Sequence, residues 1–179
     1  DGTTQFVAAT ESKGASLVWY SSNGKVLGRT TVYVRDVSGL NLATGDIDGD
    51  GNDELMVSQA RGAEIRVYGL DRKRKLVVTP RTKKHAQGWS IAAGDVNGDG
   101  KDEILATPNV GMKKTKILVL SGEGVELKSL AVAGSEIAPL VLGAADTNGD
   151  GVDEVISAPQ RGAGSLRVMQ YSGTLLRQQ

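Results

Sequence analysis

Three nine-residue stretches of this chain alternate oxygen-bearing side chains with glycine in one order. In the first, Asp46, Asp48 and Asp50 stand at positions 1, 3 and 5, followed by Gly51 at position 6, Asp53 at position 8 and Glu54 at position 9. The second places Asp95, Asn97, Asp99, Gly100, Asp102 and Glu103 at those positions, and the third places Asp146, Asn148, Asp150, Gly151, Asp153 and Glu154 there. Carboxylates and carboxamides two residues apart in a tight turn suit a hard cation such as calcium, which takes about six to eight oxygens in a flexible shell. Glycine at position 6 allows the sharp reversal that brings the donors together.

Position 7 is Asn52, Lys101 or Val152, three unrelated side chains, so any contribution from it would come through its backbone carbonyl. Position 8 is expected to orient the loop or to act behind the ligands, with position 9 the better donor. The sequence therefore predicts three calcium sites, formed by Asp46, Asp48, Asp50, Asn52 and Glu54, by Asp95, Asn97, Asp99, Lys101 and Glu103, and by Asp146, Asn148, Asp150, Val152 and Glu154. An EF-hand would need a glutamate at position 12 and flanking helices, but position 12 is Val57, Ala106 or Ser157 inside an apolar run. The remaining alternative is three acidic turns that bind nothing.

The charge layout argues against that alternative. Formal net charge is zero, yet the three stretches hold 13 of the 21 acidic residues and a single base, Lys101. Neutrality is thus a cancellation of two opposed fields, and the acidic one repels itself unless a cation is bound.

The elements that must hold these loops follow from the repeat. The first aspartates of the loops stand 49 and 51 residues apart, and a period in this range signals an array of structural units. Around each loop lie short apolar runs bounded by glycine or proline, which read as strands. The first precede the loops, at Leu40–Thr44, Ser90–Ala93 and Leu140–Ala144; the second follow them, at Leu55–Ser58, Ile104–Thr107 and Val155–Ala158. Third strands are predicted at Glu64–Tyr68, Lys116–Leu120 and Leu166–Tyr171, and fourth strands near Lys75–Thr79, Val125–Val132 and Thr174–Arg177.

Asn23-Gly24, between Ser16–Tyr20 and Lys25–Thr30, predicts a type I′ hairpin, and Gly122 and Gly173 occupy similar points in later units. Residues Asp1–Thr10 align with Asp150–Pro159, so the chain is expected to start inside a loop of the same kind. Position 9 there is Gln5, and no metal is predicted at that place. The expected fold is all-β, a β-propeller of four-stranded antiparallel blades with 15 strands in this chain. Its units are 1–37 (a partial blade with strands two to four), 38–86, 87–136 and 137–179.

On these residues the unit resembles the FG-GAP repeat of integrin α-chain N-terminal propellers and related bacterial and fungal proteins. Gly88-Trp89-Ser90-Ile91-Ala92-Ala93-Gly94-Asp95 is similar to the family's first strand, and Ala158-Pro159 to its closing alanine-proline. The phenylalanine-glycine pair itself is not present in any unit. Ala106-Thr107-Pro108 keeps only the proline of the closing pair, and Val57-Ser58-Gln59 keeps neither residue. The resemblance implies an aspartate-rich calcium loop between the first and second strands of each blade.

It also implies that loops joining strands two and three share the opposite face with the connections between blades. That face would display Arg61, Arg161, Lys83, His85, Gln87 and Glu136. Arg61-Gly62-Ala63 and Arg161-Gly162-Ala163 recur at equivalent points, and their guanidinium groups suit a carboxylate or phosphate, although duplication alone explains the recurrence equally simply. Basic clusters at 72–75, 81–85 and 113–116 suit either an anionic polymer or solvated edges that resist aggregation. Trp89 and Trp19 are candidates for stacking on sugar rings or for the core.

No cysteine, no Gly-x-Ser-x-Gly elbow and no phosphate-binding glycine loop is present, and the single histidine, His85, has no evident catalytic partner. The leading expectation is a non-enzymatic, calcium-stabilised adhesion or protein-interaction module, with a protein or glycan as partner and no nucleic acid. Alternatives are a lectin and the scaffold part of an extracellular polysaccharide-degrading enzyme. No run of about 18 apolar residues occurs, so no membrane insertion is expected. Calcium loops of modest affinity point to an extracellular or cell-surface location, and a homo-oligomer completing the ring is a further expectation.

Overall fold

The computed structural model describes residues 4–9, 15–33, 39–80, 88–111, 114–132, 138–162 and 164–178. The described residues form fifteen strands in four antiparallel sheets and contain no helix. The first sheet has three strands, β1 (Gln5–Ala9), β2 (Ser16–Ser21) and β3 (Val26–Thr31). The second holds β4 (Leu40–Gly45), β5 (Glu54–Gln59), β6 (Ile65–Tyr68) and β7 (Arg74–Val78). The third holds β8 (Trp89–Gly94), β9 (Glu103–Pro108), β10 (Lys116–Leu120) and β11 (Glu126–Ala131), and the fourth β12 (Leu140–Ala145), β13 (Glu154–Pro159), β14 (Arg167–Met169) and β15 (Leu175–Gln178). Within each sheet the strands follow one another in chain order, as hairpin-linked meanders.

Packing between sheets is what fixes their order. One core lies between the first and second sheets (Leu17, Trp19, Leu55, Val57), a second between the second and third (Met56, Trp89, Ile104, Leu118) and a third between the third and fourth (Leu105, Val119, Leu140, Val155). Strands β5 and β9 are buried on both faces, because alternate side chains point into different cores. Leu55 and Val57 face one way and Met56 the other; Ile104 and Ala106 oppose Leu105 in the same manner. No core joins the fourth sheet to the first among the described residues, and Phe6 on β1 and Val141 on β12 stay exposed.

The hairpins between third and fourth strands differ from expectation. Asn23 keeps a negative φ and only Gly24, at φ 81°, is left-handed, so the turn is not type I′. The Gly24 amide donates to the Ser21 carbonyl at 2.9 Å, the Ser21 amide donates to Lys25 at 2.9 Å, and the register slips between Trp19 and Tyr20. This is a longer hairpin closed by a glycine bulge. The later counterparts of Gly24 are Gly124 and Gly173, not Gly122, since those two repeat both the left-handed φ and the bond pattern. In the second sheet the same place is taken by Arg72, at φ 67° the one left-handed residue other than glycine among those described.

Candidate metal loops

Each acidic stretch connects the first strand of a four-stranded sheet to the second, and its position-1 aspartate organises the turn. One oxygen of Asp46 accepts from the amides of Gly49 (2.8 Å) and Asp50 (3.0 Å), and the other accepts from Gly51 (2.9 Å). Asp95 receives Gly98 (2.7 Å), Asp99 (3.1 Å) and Gly100 (2.9 Å) in the same way, and Asp146 receives Gly149 (2.6 Å), Asp150 (3.2 Å) and Gly151 (2.9 Å). These amides hold the Asp146 carboxyl below its ordinary range, Gly151 and Gly149 foremost. Left-handed glycines at positions 4 and 6, with φ between 78° and 86°, make the turn possible.

The position-5 aspartate accepts the backbone amide of position 7, at 2.8 Å for Asn52, 3.0 Å for Lys101 and 2.9 Å for Val152. The bond uses the backbone, so it is the same for three residues with unrelated side chains. In the first loop, carboxylate oxygens of Asp46, Asp48 and Asp50 lie within 4.8 Å of one another, close enough to share one cation.

Beneath each turn lies a buried glutamate. Glu54, Glu103 and Glu154 are 1%, 3% and 2% exposed. Asn97 donates its carboxamide to Glu103 at 2.6 Å and Asn148 to Glu154 at 2.7 Å, while the Thr147 hydroxyl also donates to Glu154. Burial, reinforced by Asp99, pushes the Glu103 carboxyl up to about 7. In the first loop Lys75 does what asparagine does in the others, donating to Glu54 at 2.7 Å and to Asp48 at 2.8 Å. That contact holds the Asp48 carboxyl down, whereas burial raises Glu54. The second oxygen of Glu54 is buried and has no hydrogen-bond partner.

Adjacent loops are stitched to one another through position 8. The Asp46 amide donates to the Asp102 carboxylate at 3.0 Å, and the Asp102 amide donates back to the Asp46 carbonyl at 3.0 Å. The next pair repeats this ladder, with the Asp153 amide donating to the Asp95 carbonyl at 2.9 Å and the Asp95 amide facing the Asp153 carboxylate. Burial raises both Asp102 and Asp153. Position 8 therefore orients the loop, as expected, but the loop it orients belongs to the preceding sheet. Position 7 also reaches across: Lys101 lies over Gly49 and Val152 over Gly98.

The other predicted site residues fare differently. Arg61 and Arg161 are exposed on the β5–β6 and β13–β14 connections, at the strand ends opposite the acidic loops. Trp89 is a core residue, 1% exposed, with its indole N–H donating to the Ala63 carbonyl at 3.1 Å. It presents no ring face to a partner, and Trp19, at 2%, is equally buried. Lys83, His85, Gln87, Glu136 and the start of the chain at Asp1 lie outside the described residues.

The stretch from the β8 entry through the second acidic loop to the end of β9 matches a known repeat. Residues 87–111 match the FG-GAP repeat. The FG-GAP repeat thus contains the whole of the second loop and both strands that hold it. Among solved structures, the chain is similar to the V. cholerae biofilm matrix protein Bap1, at 26% identity and a TM-score of 0.57, over 98% of this chain and 27% of that one. A Bacteroides caccae protein of unknown function superposes with a TM-score of 0.60 at 9% identity, over 100% of this chain and 58% of that one. A Bacillus licheniformis rhamnogalacturonan lyase does so at 0.56 and 16%, over 93% of this chain and 42% of that one. The chain thus spans less than two thirds of the length of each. No curated protein sequence matches it significantly.

Proposed function

We propose that the chain is a calcium-binding β-propeller segment of an extracellular protein, one blade per sheet, acting as a non-enzymatic adhesion or interaction module. One observation carries the metal part of this reading: three turns of one geometry gather hard oxygen donors above a buried glutamate, and one such glutamate has an unpartnered oxygen. The donor set fits calcium rather than a softer transition metal, since it contains neither histidine nor cysteine. Asp46, Asp48, Asp50 and Glu54 with the Asn52 carbonyl would hold the first ion, Asp95, Asn97, Asp99 and Glu103 with the Lys101 carbonyl the second, and Asp146, Asn148, Asp150 and Glu154 with the Val152 carbonyl the third. The ion supplies the positive charge that the clustered carboxylates lack.

The FG-GAP match and the likeness to a biofilm matrix protein support an extracellular module, and four sheets packed in series support blades of a propeller. Arg61 and Arg161, exposed at the end away from the loops, are the residues proposed to meet a protein or glycan partner. The likeness to a rhamnogalacturonan lyase favours a second reading, in which the chain is the scaffold part of an enzyme. Calorimetric titration of the chelator-treated chain with calcium tests the first: heat of binding with a stoichiometry near three supports it, and no heat at millimolar calcium rejects it. Lyase activity confined to a longer chain would decide for the second.

A further inference from the structure

The first loop differs from its two counterparts in two coupled ways. It carries aspartate at position 3, Asp48, where the others carry Asn97 and Asn148, so it holds one more carboxylate. It also receives a lysine from the outer strand of its own sheet. Strand pairing places Tyr68 opposite Arg74, Leu120 opposite Glu126 and Met169 opposite Leu175, which makes Lys75, Leu127 and Leu176 equivalent. Leu127 lines the same cleft as Asn97, Asp99 and Glu103, so the position faces the loop in the third sheet as it does in the second. Leu127 and Leu176 are each 44% exposed and bring no charge.

The extra anion and the extra cation therefore occur together, in one unit of three. Lys75 reaches Asp48 at 2.8 Å and Glu54 at 2.7 Å, two of the four acidic donors of that loop, and leaves the other Glu54 oxygen buried without a partner. In the sister loops a neutral carboxamide makes the bond to the glutamate and brings no positive charge.

We propose that Lys75 is a tethered counter-ion of the first loop, which competes with a divalent cation for Asp48 and Glu54 and makes this loop the last of the three to fill. The proposal rests on the calcium reading above. An ammonium on a four-carbon stem can swing away without unfolding the strand that bears it, so displacement is a side-chain event. Divalent cation entering the first loop must break two bonds to an ammonium, whereas in the other loops the donor to the glutamate is a neutral carboxamide. Without metal, the same bonds offset the extra carboxylate, so the donors of the first loop carry the same net charge as those of its neighbours.

Site-resolved calcium titration of the full chain tests this. The amides of Gly51, Gly100 and Gly151 each donate to the position-1 carboxylate of their own loop, and their NMR shifts report the three loops separately. In the wild type, Gly51 is expected to respond at a calcium concentration about tenfold higher than Gly100 and Gly151. Lys75→Leu, which installs the residue of the sister positions, should bring the Gly51 midpoint to or below the other two. Lys75→Leu combined with Asp48→Asn should make all three coincide, because it recreates the pattern of the sister loops; Lys75→Met serves in place of Lys75→Leu if that variant does not fold. A Gly51 midpoint equal to the others in the wild type, or unmoved by either lysine substitution, overturns the proposal while leaving the calcium reading intact. No response at Gly100 and Gly151 overturns both.

Discussion

At the scale of single residues, the position-1 aspartate is the most connected group of each loop. Asp95→Asn would turn an acceptor for the Gly100 amide into a donor facing a donor, and the change should cost about 1–2 kcal/mol in urea unfolding with chelator present. Calcium should no longer restore the loss. Glu103 gives a pH signature: its folded carboxyl titrates at about 7 against an ordinary 4.5. The folded state binds that proton more tightly, so the stability it contributes is fully present below the ordinary value and lost as pH rises through about 7. Metal-free chain should therefore lose stability across that window, and Glu103→Gln should abolish this part of the slope. Arg72 sits in a left-handed conformation that its sister hairpins give to glycine, and Arg72→Gly is expected to stabilise by up to about 1 kcal/mol, read from the denaturation midpoint.

Among elements, the strand pattern was legible because each run is short, apolar and punctuated by glycine. Predicted Lys116–Leu120 coincides with β10, and most other runs differ from the strands by one or two residues. The hairpin type was not legible from Asn23-Gly24, since that dipeptide fits both a two-residue turn and a bulged longer one, and the register of flanking strands selects between them. Lys75 was also missed as part of the first loop: it lies 27 residues from Asp48, and only the pairing of β6 with β7 brings the two together. Comparison of the fourth strands, lysine against two leucines, was the available signal. The position-8 clamp spans 56 residues from Asp46 to Asp102 and likewise depends on sheet packing. Gly45 ends β4 against that clamp, and a methyl added there would overlap the Asp102 carboxylate and the Ala93 side chain. Gly45→Ala should cost about 2 kcal/mol, measured with calcium present so that loop repulsion does not contribute.

Over the whole molecule, three acidic loops lie at one end of a stack of sheets, and the proposed ions would link calcium to global stability. If each ion binds the folded chain alone, saturating calcium should raise the melting temperature by about 10 °C or more relative to chelator. A scan showing no shift would reject calcium as the occupant of the loops. The repeats themselves, read from spacing, led to four sheets in series, but how the series closes is not written in any one unit. Doubly buried β5 and β9 have a further consequence. Each is a party wall, whose odd-numbered and even-numbered side chains furnish different rooms. Excising either inner unit would not merely shorten the row, because it would leave two half-furnished rooms whose surviving walls were shaped for absent neighbours.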